Sequence, residues 1–418
     1  MKRLLFILIM LTFAGSSFAV IKTEAVTINV FRIFFLLFCA MHMFNKKPEN
    51  VKFSNKKFYK NLMFAFMFFM AITYGLKFNA SKWLNGFIFI LIDIFLMYFI
   101  VMYSETLSDV DYYMKAFAIG LLVNMVVAVY EYNTQNHIIS TNYLVDYMDS
   151  EWAYEALAKA PTAFLYNPNN IGVAVVLGVP FGNYLKIAKK RSTNLLIKTL
   201  WFILCTYVAF ATGSRGAILL VFFSIIMTLL FERTDAARKI AGIVGIMLVV
   251  MFLLYANSDY IMRQLKYSGL LGQTSLIDSK TDASRIKLIE GGLIAAKKYL
   301  YLGTGPMSAE AAIYKEANIY GSVHNFWIEW LVNQGLGGMI CFVVLYLHCL
   351  KSMLISKAPQ SKAVLASLIL FAFASMVPPT IMTLNFIWLI FGFGIAIEKF
   401  DCLEREKKYN SKLINIRG

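Results

Sequence analysis

Apolar runs of about twenty residues alternate with short polar breaks along most of the 418-residue chain. A hydrocarbon core of about 30 Å takes roughly 20 apolar residues of helix. The spacing predicts twelve spans, near 4–21, 26–44, 61–78, 84–103, 112–131, 162–184, 194–212, 216–231, 239–256, 324–350, 361–379 and 381–398. The first, "MKRLLFILIMLTFAGSSFA", also fits a cleaved signal peptide through its basic start and small-residue end. A retained helix is the favoured expectation, and cleavage leaves the orientation of later spans unchanged. No repeat of fixed period and no low-complexity tract breaks the pattern.

The polar breaks set the expected orientation. With the amino terminus inside, the cytoplasmic segments 1–3, 45–60, 104–111, 185–193, 232–239, 351–362 and 399–418 hold 24 Lys and Arg. The outside segments hold about 13, eight of them in one long loop that the positive-inside rule discounts. Both termini are therefore expected in the cytoplasm. The break 104–111, "SETLSDVD", is acidic and fits this scheme least well. Two outside segments are too long to be mere connectors. Segment 132–161 contains "VDYMDSEWAYEALAKAP", which reads as an amphipathic helix stopped by Pro161. Segment 257–323 is polar enough to fold as a cap. The expected organisation is thus nine membrane helices over 1–256, a large extracytoplasmic loop over 257–323, three more helices over 324–398 and a tail over 399–418.

Composition agrees with a polytopic, all-α membrane protein: 59% hydrophobic, 15% charged, with a mean hydropathy of +0.63. The net charge of +16 is dispersed in short clusters between apolar runs, which argues against a nucleic-acid partner. Cys39, Cys205, Cys341, Cys349 and Cys402 lie mostly within apolar runs without C-x-x-C spacing, so they read as small hydrophobes.

Three residues facing outside carry candidate chemistry. Arg215 sits in "TGSRGA" between two apolar spans, and Gly213 and Gly216 beside it permit close backbone approach. Snorkelling to headgroups is the structural alternative. Arg285 follows Asp282 and Ser284, which can cap a helix running to about Leu300, where "GTGP" makes a turn. In the first turn of such a helix an arginine opposes the dipole, so helix stability does not explain it; a solvated loop charge is the alternative. His324, in "GSVHNFWIEWLVNQGLGG", stands at the far end of the same loop, followed by Asn325 and by Glu329 one turn on. An imidazole can take a hydroxyl proton near neutral pH. Two guanidinium forks can hold a diphosphate leaving group bidentately without a metal, so neither a metal nor another cofactor is expected. Deeper in the membrane, Arg32 in "VFRIFF" and Asp93 in "LIDIF" fall at similar depth and are expected to form a structural ion pair.

The succession "TGSRGA", "SRIKLIEGGLIAAKKYLYLGTGP" and "HNFWIEWLVNQGLGG", with "NPNN" at the start of the sixth span, resembles the O-antigen ligase and polymerase family over roughly residues 160–345. The amino-terminal third matches in hydropathy alone. The resemblance implies a GT-C-like glycosyltransferase with about a dozen helices and a large helical periplasmic loop. It implies that Arg215 and Arg285 hold the diphosphate of an undecaprenyl-linked glycan donor and that His324 lies near the acceptor hydroxyl. Asn325 is expected to support the imidazole. It further implies work in the bacterial cytoplasmic membrane beside a flippase and chain-length regulators. A 257–323 loop short for a ligase cap favours a polymerase, whose acceptor is a lipid-linked repeat unit. The alternatives are a ligase acting on a lipid A core, protein or wall acceptor, and a transporter. A transporter would need charges lining a membrane path and inverted repeats, and the sequence offers only Arg32 and Asp93 at depth.

Overall fold

A computed structural model describes residues 1–15, 18–22, 27–45, 53, 55–138, 160–185, 191–231, 242, 245, 276–319, 321–378, 381–382 and 384–417. Among these the chain is mostly helical. Ala80–Tyr103, Leu107–Thr134, Ser192–Ala211 and Phe326–Ile355 are long and apolar enough to cross a membrane, and Val30–Phe44, Arg215–Phe231 and Ser361–Ala374 are shorter apolar helices. The chain is a helical membrane protein. Most of the expected span 239–256, and the expected amphipathic helix of the 132–161 loop except its end at Ala160 and Pro161, lie outside the described residues.

Several spans differ from the hydropathy reading, each for a local reason. The first helix, α1, covers Lys2–Leu11 and tightens into a 3₁₀ turn at Thr12–Ala14, ended by Gly15 at φ +54°. Ala19–Lys22 (β1) then pairs antiparallel with Thr27–Asn29 (β2), a small exception to the all-α expectation. The residues around this hairpin, Val20, Ile21, Thr27 and Ile28, are β-branched and suit strands. The second helix, α2, consequently starts only at Val30 and runs to Phe44, with the Asn29 side chain capping it. α1 belongs to the core: Leu5, Leu8, Ile9 and Phe13 are fully buried. Helix α3 (Lys56–Ala71), a single turn at Gly75–Phe78, α4 (Ala80–Tyr103) and α5 (Leu107–Thr134) follow.

The sixth expected span is shortened most. Its helix, α6, is Pro168–Gly178 with a 3₁₀ extension over Val179–Tyr184. Asn167 caps it and Pro168 occupies its first position, which favours a start there. The residues before it are held as loop by buried polar groups. The Glu131 carboxylate accepts from the N–H groups of Thr162 (2.9 Å) and Ala163 (2.8 Å), and Asn124 accepts from Phe164 (3.2 Å). Helices α7 (Arg191–Ala211) and α8 (Arg215–Phe231) form the next pair.

The carboxyl-terminal part contains α9 (Leu276–Lys298), α10 (Ala309–Ala317), α11 (Phe326–Ile355), α12 (Ser361–Ala374) and α13 (Asn385–Arg417). At 33 residues, α13 extends well past the expected end at 398. α11 is not the continuous span expected from 324–350: it breaks at Gly335, where φ is +63° and ψ −172°. The "LGTG" turn inserts beside the break. Thr304 and Gly305 donate their N–H groups to Val332 and Asn333 (2.8 and 2.7 Å), and Leu336 donates to Leu300 (2.6 Å). The backbone groups that the break leaves unpaired are thereby satisfied. Around it, Ala295, Ala296, Ala309, Ala312, Ile313, Val323 and Val332 form a small core apart from the main one.

Long-range bonds sort the loops into two groups, at opposite ends of the bundle. At one end Lys2 bonds Glu105 and Asp109 (3.2 and 2.8 Å), Gln360 bonds Asp111 (2.9 Å), His42 meets the Tyr103 hydroxyl (2.7 Å), and Asn55, Tyr59 and His348 converge on Glu398. Lys2 thus balances the acidic 104–111 break. At the other end lie the starts of α2, α6, α8 and α11 and the finish of α12.

Gly335→Ala should lower the thermal unfolding midpoint in detergent, with a destabilisation of about 2 kcal/mol or more. Its Cβ would stand 2.6 Å from the Gly303 nitrogen at a positive φ. Gly394→Ala, whose Cβ would meet side-chain atoms no closer than 3.6 Å, should leave the midpoint nearly unchanged.

Candidate functional site

Arg215 is the first residue of α8 and is exposed, one position before Gly216. The turn that delivers it is tight: Gly213 has φ +65°, and the Thr212 hydroxyl accepts from the Ser214 N–H (3.3 Å). Packing then fixes the turn from two sides. On one, Gly172 of α6 lies against it so closely that a Cβ there would stand 2.7 Å from Ala217 Cβ. On the other, a Cβ on Gly216 would stand 2.8 Å from Val377 Cγ2, just beyond the end of α12. The "NPNN" start of α6 is therefore a neighbour of the Arg215 turn.

His324 reaches the same place from α11. It precedes the helix in a left-handed backbone conformation, φ +50°, which costs an L-residue on the order of 1–2 kcal/mol. The end of α12 holds this strained segment through three carbonyls. Trp327 Nε1 donates to Ala372 (3.2 Å), the Phe326 N–H donates to Ser375 (3.0 Å), and His324 Nδ1 lies 3.3 Å from the Val377 carbonyl. Since a carbonyl can only accept, the hydrogen sits on Nδ1 and Nε2 is left as a proton acceptor.

Arg285 comes from α9. This helix begins at Leu276, so Arg285 lies in the third turn instead of the expected first, beyond the reach of the dipole at the helix start. The reason is that "LIDSKTDAS" contains no helix breaker, so the helix starts earlier than the Asp282 and Ser284 caps suggest. Half-buried Arg285 is carried to His324 by close packing further along α9. A Cβ on Gly292 would stand 2.8 Å from Ile328, and Leu288 packs on Gly321. Burial first, and then the positive charge of Arg285, push the His324 imidazole below the ordinary histidine value of 6.5. The hydrogen bond to Val377 works in the opposite direction.

The other residues singled out from sequence have different surroundings. Asn325 is the N-cap of α11, its Oδ1 accepting from the N–H groups of Trp327 (3.1 Å) and Ile328 (3.2 Å), so the described bonds assign that oxygen to the helix start and the Val377 carbonyl to the imidazole. Glu329 is buried in the first turn of α11. Buried Arg32 bonds Asn85 (3.0 Å) and lies 4.1 Å over the Phe89 ring, while Asp93 accepts from Asn385 (2.6 Å). Val377 and Gly172 were missed from sequence. An apolar residue near a span end and a glycine within a span carry no chemical signature.

These features define a class of protein: a helical membrane protein in which Arg215 and His324 border the end of α12 and Arg285 lies on the helix packed against the start of α11. Residues 200–343, which include all three, match the family model for O-antigen ligase. The chain is also 23% identical, over 94% of its length and 83% of the relative's, to the teichuronic acid biosynthesis protein TuaE of Bacillus subtilis. Both matches support the resemblance to the O-antigen ligase and polymerase family.

Asn325→Ala should cost about 1 kcal/mol of stability through the lost cap, and Asn325→Ser should recover most of it. The check is the unfolding midpoint of the two variants side by side in one detergent.

Proposed function

We propose that this protein is a GT-C-like polysaccharide polymerase, transferring a glycan from undecaprenyl diphosphate to a hydroxyl of a lipid-linked repeat unit outside the cytoplasmic membrane. The observation that carries the reading is that the Arg215 turn and the His324 imidazole both border Val377 at the end of α12, while α9, which bears Arg285, packs on the start of α11 beside His324. A role in glycosyl transfer during polysaccharide biosynthesis is supported by the family match and by the relative's name. The donor, the polymer-forming acceptor and metal independence are the finer proposal.

In the proposed reaction, His324 Nε2 takes the proton of the acceptor hydroxyl. That oxygen bonds to the anomeric carbon while the bond from this carbon to the phosphate oxygen breaks. The bonding pair leaves with the diphosphate, whose growing charge Arg215 and Arg285 neutralise. Guanidinium suits this because it keeps its charge and presents paired donors to phosphate oxygens. Asn325 supports the start of α11 and so the His324 segment before it. Flippase and chain-length regulator proteins are the proposed partners, and both termini are proposed to face the cytoplasm. The ligase reading keeps the same donor chemistry and differs only in the acceptor.

Deleting the gene and resolving the surface glycan by gel separates the two. Single-repeat products would support the polymerase, accumulated long lipid-linked chains the ligase, and an unchanged glycan would overturn both. Arg215→Ala, Arg285→Ala and His324→Ala should each lower turnover by about 100-fold or more while the protein stays in the membrane. Arg215→Lys should recover little of it, since an ammonium lacks the fork.

The active imidazole is neutral, so activity should be full at neutral pH and fall as pH drops through a midpoint below 6.5, because the folded protein lowers this group. A pH–rate profile with its acid limb at or above that value would contradict the assignment.

A further inference from the structure

One residue faces both halves of the candidate site. The Val377 side chain lies against the backbone of Gly216, next to Arg215, with room for no Cβ: an added one would stand 2.8 Å from Val377 Cγ2. The Val377 carbonyl meets His324 Nδ1 at 3.3 Å. Val377 itself is anchored to α12 by its N–H, which donates to Ala374 (3.2 Å). Side chain and carbonyl share the Val377 Cα, so a push on the side chain that shifts this Cα carries the carbonyl with it.

We propose that Val377, seated on Gly216, is a positioning residue that fixes the His324 imidazole relative to the diphosphate-binding arginines. The inference rests on the proposed roles of those three residues. Its chemistry has two parts. The carbonyl holds hydrogen on Nδ1, so that Nε2 remains the proton acceptor, the task that a carboxylate performs in many histidine-based sites. Once Nε2 is protonated, the imidazolium lies among the carbonyls ending α12, the negative end of a helix, which partly offsets repulsion by Arg285. The missing Cβ at Gly216 lets the arginine turn and the imidazole support touch. Glycine at this position is then a requirement of the reaction geometry, beyond helix packing.

The test is steady-state glycosyl transfer by the full-length protein in vesicles, using lipid-linked oligosaccharide extracted from the gene-deleted host as substrate. Gly216→Ala should lower kcat by about tenfold to a hundredfold, the scale of an ångström-sized misplacement. KM for the donor should change by less than about threefold, because Arg215 keeps its place at the start of α8. Val377→Ala retains the carbonyl but loses its seat on Gly216, and should lower kcat by about threefold, well short of the Gly216→Ala loss. Adding it to Gly216→Ala removes the Cγ2 that the new Cβ strikes and should restore most of the lost kcat.

If Gly216→Ala fails to fold by gel filtration, Val377→Ile, which enlarges the same contact from the other side, replaces it with the same expected kcat loss. Wild-type kcat in the first variant, or no recovery in the double variant, would overturn the positioning role. If His324→Ala also keeps wild-type kcat, it is the proposed reaction that fails; if His324→Ala is inactive while Gly216→Ala is normal, only the role of Val377 falls.

Discussion

The site depends on one short stretch of backbone, the end of α12. Its carbonyls at Ala372, Ser375 and Val377 take the Trp327 indole, the Phe326 amide and the His324 imidazole. A helix end carries unpaired carbonyls in any case, and buried ones must find donors. Here the donors are the residues around the histidine, so the same bonds close α12 and hold His324 at φ +50°. The strain in His324 persists because its neighbours over-determine its position.

Glycines bring the remaining parts to that stretch. Gly216 and Gly172 press the Arg215 turn between α12 and α6, and Gly292 brings α9, with Arg285, onto the beginning of α11. The cap is joined to the membrane helices at a second place, where the "LGTG" turn supplies hydrogen-bond donors to the broken α11. Gly303 of the turn and Gly335 of α11 meet backbone to backbone. Cap and bundle therefore share main-chain bonds, a more rigid join than side-chain packing alone.

Much of this was legible in advance, and the exceptions are instructive. Hydropathy located the apolar segments because burial in lipid imposes length and composition directly. It overran at the first span, where β-branched residues form a hairpin, and at the sixth, where Glu131 and Asn124 hold the preceding backbone as loop from another helix. It joined across Gly335, since a break whose backbone is satisfied by a distant turn costs no apolar residue. The start of α9 was placed too late because two good caps, Asp282 and Ser284, fall inside a longer helix-compatible run.

The sequence by itself determined the helical membrane class, the family resemblance and the three candidate residues, because lipid solubility and the chemistry of arginine and histidine are properties of residue type. Only the tertiary structure decided that the Arg215 turn and the His324 segment share Val377, that α9 packs on the start of α11, and that the Val377 carbonyl lies at the imidazole while Asn325 caps the helix. The physical reason is that carbonyls and absent side chains are the same in every sequence. Their effect comes wholly from what the fold sets beside them.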